Sequence, residues 1–196
     1  RLSLVGSEMC IRDSPEPDSF KEYPINAFEK DYSRIVSSAA FRRLQDKTQV
    51  FPLDKSDFIR TRLTHSIEVS TIARQLGIMI SKNTTPYKPT DIAVPEDAEA
   101  IASVLLCAGL LHDLGNPPFG HFGETVIGDW FKENLDHVKY KGQPLRSWLS
   151  AQMIADLENF EGNAQALRIL LKAKHGSSLN LSKAIISTLV KYPTDS

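Results

Sequence analysis

The sequence predicts an all-α fold, and three observations carry that expectation. Apolar residues recur at spacings of three and four along nearly every periodic segment, convincing two-residue alternation is scarce, and Gly, Pro and Asn fall where helices start and stop. About seven helices result. A length of 196 residues with 41% hydrophobic content suits one soluble domain with a sizeable core.

The opening stretch RLSLVGSEMCIRDS (1–14) has neither the apolar core of a signal peptide nor a pattern continuous with the residues after it. It reads as a non-native leader and is set aside from the fold. Residues 15–61 form an N-terminal helical segment, with Asn26 as the cap of a helix running to about Leu44. Thr48 to Leu53 is a short non-helical stretch ended by Pro52.

The next helix spans Arg62 to about Ile80. Val69, Ile72, Leu76 and Ile80 mark an apolar stripe, and His65, four residues before Val69, projects from that stripe toward a core. After a loop rich in Pro, Thr and Lys, a helix from about Glu96 to Leu114 carries Ile101, Leu105, Ala108 and His112 on one face. The sequence therefore predicts two buried histidines on two helices. Gly115 to Gly120 is a forced turn, and the chain resumes helically from Gly123 to Phe131. A polar link at 139–142 precedes a helix over 144–160. Another starts from Asn163 as cap, with Leu167, Leu170 and Leu171 as core and Gly176 as terminator. The segment 180–192 closes the set, and the abrupt end at Ser196 predicts a domain truncated at its C-terminal side.

Charge and cysteine content narrow the function classes. The net charge of −1 argues against wholesale nucleic-acid coating, although Arg34 to Arg62 holds a local excess of basic residues that suits a phosphate-bearing ligand or, equally, a solvated helix face. The longest apolar run, 104–111, is far too short to span a membrane, so no membrane partner is expected. Cys10 and Cys107 have neither metal nor redox spacing, which points to a reducing, cytoplasmic location.

The chemistry concentrates in HDLGNPPFGHFGE (112–124). A lone histidine on an apolar face is usually a satisfied core residue. His65 together with the adjacent His112 and Asp113 changes that balance, because a desolvated carboxylate needs a cation or donors, and one divalent ion shared by the three would offset every burial cost. The N and O donor mix suits Mn, Mg, Co, Ni, Fe or Zn. Nearby, His121 and Glu124 share one face if a helical turn begins near Gly120, and the carboxylate then fixes the imidazole's tautomer as a general acid–base couple. The bland alternative is an acidic residue at the positive end of a helix beside a loop histidine. Gly115, Gly120 and Gly123 allow sharp turns that aim these groups, with Pro117 and Pro118 stiffening the loop. His137 and His175 read as surface residues.

The pattern of His65 followed by His112-Asp113 resembles the signature of the HD-domain metal phosphohydrolases. FRRLQDKTQVFPL (41–53), RTRLTHSIEV (60–69), HDLGNPPFGHFGE (112–124) and FEGNAQALRIL (160–170) together closely resemble one branch, the deoxyguanosine triphosphate triphosphohydrolase family. The resemblance implies an HD-domain helical bundle over 62–196, incomplete at its C-terminal end, with 15–61 contributing to the nucleotide site. It implies a metal-dependent enzyme that hydrolyses a deoxynucleoside triphosphate, dGTP foremost, to the deoxynucleoside and tripolyphosphate.

By the same resemblance His65, His112 and Asp113 hold the metal and His121 with Glu124 is catalytic. Arg62 contacts phosphate, Gln49 reads the sugar 3′-hydroxyl with Val50 packing beside the ring, and Asn163 touches substrate or simply caps its helix. The family's fourth metal ligand, an Asp on a helix well downstream of VKYP, lies beyond Ser196. Asp156 is better read as a solvated helix position than as its substitute. The resemblance also implies a homo-oligomer at full length. Two alternatives stand beside this reading: another HD-domain nucleotide phosphohydrolase, and a non-catalytic nucleotide- or single-stranded-DNA-binding regulator supported only by the basic stretch.

Overall fold

A computed structural model describes residues 26–49, 56, 58–84, 95–171 and 179–190. Among them the architecture is a helical bundle with one small hairpin. The helices are α1 (Ala27–Ser37), α2 (Ala39–Arg42), α3 (Arg62–Thr84), α4 (Pro95–Leu111), α5 (Gly120–Asn134), α6 (Ala151–Glu158), α7 (Gly162–Leu171) and α8 (Lys183–Ser187). Strands β1 (Lys139–Tyr140) and β2 (Gln143–Pro144) pair antiparallel where the sequence suggests only a polar link. Val50, Cys10, His175 and the expected terminator Gly176 lie outside the described residues.

Asn26 caps α1 as the sequence predicts. Its Oδ1 accepts from the amides of Phe28 and Glu29 at 2.8 and 2.9 Å, and the Glu29 carboxylate accepts from the Asn26 amide in return. The single helix expected from 26 to 44 is broken at Ser38, whose backbone turns extended and whose hydroxyl caps α2 by accepting from Phe41 N–H. The helix expected over 144–160 likewise divides into a 3₁₀ turn (Leu145–Trp148) and α6, with Ser150 as the cap. Phe28, Ile35, Phe41 and Leu44 from the first two helices and the turn after them meet Cys107, Leu110 and Leu111 of α4, and Ala166, Leu170, Ile185 and Leu189 close the core. Leu167 is only partly buried against this cluster, and Leu171 faces outward rather than inward.

The stripe assigned to the inner face of α3 is on the outside. Ile72, Leu76 and Ile80 are 57%, 50% and 50% exposed, while Arg62, Ser66, Ser70 and Ser81 are buried. The cause lies in how closely α3 packs on α4. A Cβ on Gly77 would stand 2.9 Å from the Cα of Ala102, and one on Gly109 would stand 2.5 Å from the Cα of Ser70. Backbones that approach so closely leave room only for Gly, Ser and Ala between them, so the large aliphatic residues of α3 are turned outward. As a result His65 and His112 are partly exposed at the rim of the seam rather than buried.

Candidate active site

Thr48 forms an isolated antiparallel bridge with Thr61, and the Arg62 amide donates to the Lys47 carbonyl at 2.9 Å. These contacts lay residues 47–49 beside the start of α3. At the other side of the seam α4 ends at Leu111, and short backbone bonds, Leu114 N–H to Leu111 O and Asn116 N–H to Asp113 O, curl the chain so that His112 and Asp113 face α3. The turn into α5 passes through Phe119 and Gly120, which both have positive φ, 68° and 57°. Gly115 and Gly123 serve a different need from the one expected of them. Cβ atoms at these positions would collide with the backbone at Gly162 and Ala166, and at Pro118, respectively.

His65, His112 and Asp113 converge. One ligand atom from each lies within 4.8 Å of the others. The Nε2 atoms of His112 and His65 stand 3.5 and 4.0 Å from Asp113 Oδ2, and the imidazole centroids are 5.2 Å apart. His112 Nδ1 lies 2.8 Å from the Gly109 carbonyl, which can only accept, so the proton sits on Nδ1 and the Nε2 lone pair faces the cluster. Asp113 Oδ2 is buried and has no hydrogen-bond partner among the described residues. The Arg62 guanidinium comes within 3.0 Å of it, offsetting charge, but lies outside hydrogen-bond geometry. Two imidazole nitrogens and a carboxylate oxygen at this separation fit a divalent ion.

His121 and Glu124 form the expected couple on the first turn of α5, with Nδ1 2.6 Å from Oε2. Glu124 uses its other oxygen, Oε1, to accept from the Gly162 amide at 2.8 Å. Gln49 lies next to the Thr48–Thr61 bridge, and its Oε1 is buried without a partner among the described residues. Lys47 is a site residue that its sequence context does not single out. Its ammonium donates to the Asn116 carbonyl at 3.0 Å, and burial, then repulsion from Arg62, hold its pKa below the ordinary value, with Asp113 pulling the other way.

Asn163 is not the helix cap. Its Nδ2 donates to Glu161 at 2.5 Å, and it is the Glu161 carboxylate that caps α7 by accepting from Ala164 N–H. Asp156 is engaged by Gln152 and Arg168, in keeping with a solvated helix position, and His137 is exposed. Sequence reasoning misses Asn116 and Gly162. Their signal is their place inside HDLGN and EGN, where ionisable neighbours overshadow them.

The model of the HD domain matches residues 62–191, and the chain belongs to that family. The matched residues include the His65, His112 and Asp113 cluster, a donor set that could hold a metal ion. Among named relatives, the chain is 52% identical over 174 residues to a deoxyguanosinetriphosphate triphosphohydrolase-like protein of Listeria innocua, an alignment covering 87% of the chain and 37% of the relative. It is 43% identical over 167 residues to a probable deoxyguanosinetriphosphate triphosphohydrolase of Pseudomonas aeruginosa (84% and 33%), and 38% identical over 195 residues to the deoxyguanosinetriphosphate triphosphohydrolase of Serratia proteamaculans (88% and 37%). The chain thus spans little more than a third of the length of these relatives. No helix among the described residues is long and apolar enough to cross a membrane.

Proposed function

We propose that the protein of which this chain is part hydrolyses a deoxynucleoside triphosphate, dGTP foremost, to the deoxynucleoside and inorganic tripolyphosphate. The observation that carries the reading is the convergence of His65, His112 and Asp113 on one point, with a separate imidazole–carboxylate couple on the next helix. The names of the relatives support the substrate class.

His65, His112 and Asp113 hold the divalent ion in this reading, and residues 15–61 and 62–196 both supply the nucleotide site. When bound, the ion supplies Lewis acidity toward water and the α-phosphoryl oxygens. Water attacks the α-phosphorus, the bond to the 5′-oxygen breaks, and His121, oriented by Glu124, hands the proton to that departing oxygen. Arg62, with Lys47 beside it, provides positive charge for the phosphates. Gln49 offers its amide oxygen, buried without a partner among the described residues, to the sugar hydroxyl, and the same reading assigns Val50 and Asn163 to substrate contact. Refusal of a 2′-hydroxyl by this pocket accounts for deoxy selectivity. The reading carries with it a cytoplasmic location and homo-oligomeric assembly at full length.

Incubating the full-length protein with dGTP and Mn²⁺ tests it. Deoxyguanosine and tripolyphosphate are the expected products, whereas release of only the diphosphate or monophosphate refutes the reaction type. Single-stranded DNA binding with a steep salt dependence and no turnover would favour the regulatory alternative.

A further inference from the structure

Asn116 has no part in the roles already assigned, yet its backbone N–H, its carbonyl and its side-chain amide N–H all engage residues of the site. Its backbone N–H donates to the Asp113 carbonyl at 3.3 Å, and its side-chain Nδ2 donates to Asp113 Oδ1 at 2.7 Å. Its own carbonyl accepts from Lys47. Its Oδ1 lies so close to the Cα of Gly162 that a Cβ there would collide with it, and the same Cβ would come within 2.7 Å of Glu124 Oε1. Glu124 Oε1 is the oxygen that the Gly162 amide holds. One asparagine therefore grips the carboxylate of the donor cluster and rests on the glycine that anchors the carboxylate of the acid–base couple.

The two oxygens of Asp113 give this grip its consequence. An ionised carboxylate only accepts, so the amide must face it with Nδ2. A donor fixed on Oδ1 stops the carboxylate from rotating and leaves Oδ2 as the oxygen that faces both imidazoles. Groups that orient a metal ligand in this way govern affinity nearly as strongly as the ligands do. Gly162 supplies the matching constraint from α7, since no other residue leaves space for both Asn116 and Glu124.

We propose that Asn116, seated against Gly162, is a positioning residue that turns Asp113 Oδ2 toward the divalent ion and keeps the metal-binding triad in register with the His121–Glu124 couple. This rests on the metal-dependent reading of the site, and its test reads metal affinity rather than turnover. Mn²⁺ binding to the full-length protein is measured by calorimetry for four forms: unmodified, Asn116→Leu, Gly162→Ala and the double variant.

Asn116→Leu keeps the bulk and removes the donor, so affinity should fall about 10- to 100-fold with the fold intact by circular dichroism. Gly162→Ala touches no ligand but displaces Asn116, and should weaken binding about 10-fold, a loss that largely disappears when position 116 is already Leu. Unchanged affinity in folded Asn116→Leu overturns the proposal, and so do fully additive losses. Should Gly162→Ala fail to fold, the Asn116→Leu comparison decides alone. Absence of Mn²⁺ binding by the unmodified protein overturns the inference together with the metal-dependent reading, whereas binding without tripolyphosphate release overturns the reaction and leaves the inference standing.

Discussion

The side chain of His121 is 90% exposed and that of its partner Glu124 only 12%. The carboxylate is thus held from inside the fold, by the Gly162 amide, while the imidazole is presented to whatever enters from solvent. Glu124→Gln places an N–H opposite Nδ1 and reverses the tautomer that the carboxylate selects. With Mn²⁺ titration and tripolyphosphate release as the readouts, this variant and His121→Ala should both keep metal affinity and lose about 10²-fold or more in turnover, the usual contribution of general acid–base catalysis. Cys107 is a residue of the opposite kind. Burial, assisted by the Asp31 carboxylate, pushes its thiol from 9.0 up to about 12. The unfolded chain therefore loses this proton at lower pH than the folded one does, so stability associated with Cys107 is complete below pH 9 and drains away as pH rises toward 12. Denaturant titrations across that window should show a shallower decline for Cys107→Ala, and alkylation of this thiol at pH 8 should accompany unfolding rather than precede it.

At the scale of elements the α3–α4 seam decides where the donors sit. His65 belongs to one helix and His112 comes just after the end of the other, so the 5.2 Å between their rings is set by how closely two backbones approach. Ser70→Leu forces a large side chain into contact with Gly109, and overpacking of this sort costs about 1–3 kcal/mol. The variant should also bind Mn²⁺ more weakly, because the helices part at the site. Ile72→Gln and Leu76→Gln change the exposed side of the same helix and should alter thermal stability by no more than about 0.5 kcal/mol. Thermal melts and metal titrations of the two sets make the comparison. Here the sequence misleads for a physical reason: periodicity reports where large apolar residues lie, and in α3 they lie opposite the packed face, which is built from Ser66, Ser70, Gly77 and Ser81. The helix itself, its start at Arg62 and the meeting of His65 with His112 and Asp113 are legible, since those depend on spacing and motif order rather than on which face is wet. The breaks at Ser38 and Ser150 are less so, because a serine that caps looks in sequence like one that merely sits in a helix.

Across the whole molecule the first and last described helices are fastened to each other. Asp31 of α1, with no exposed surface, accepts from the Ser182 amide at 2.9 Å, and Arg34 reaches the Asn180 carbonyl at 3.2 Å. Asp31→Ala leaves a buried amide without its acceptor and should lower unfolding free energy by about 1–3 kcal/mol, measurable by denaturant titration. Nothing in the sequence pairs these positions, which are 151 residues apart, whereas the motifs around the donor cluster announce themselves within short windows. The fastening has a kinetic corollary. Release of α1 or of α8 breaks the bond between the Asp31 carboxylate and the Ser182 amide, so opening of one loosens the hold on the other. Amide protons of α1 and α8 should accordingly exchange with deuterium through a single shared opening, while those of the β1–β2 hairpin, exposed along its length, exchange on their own schedule.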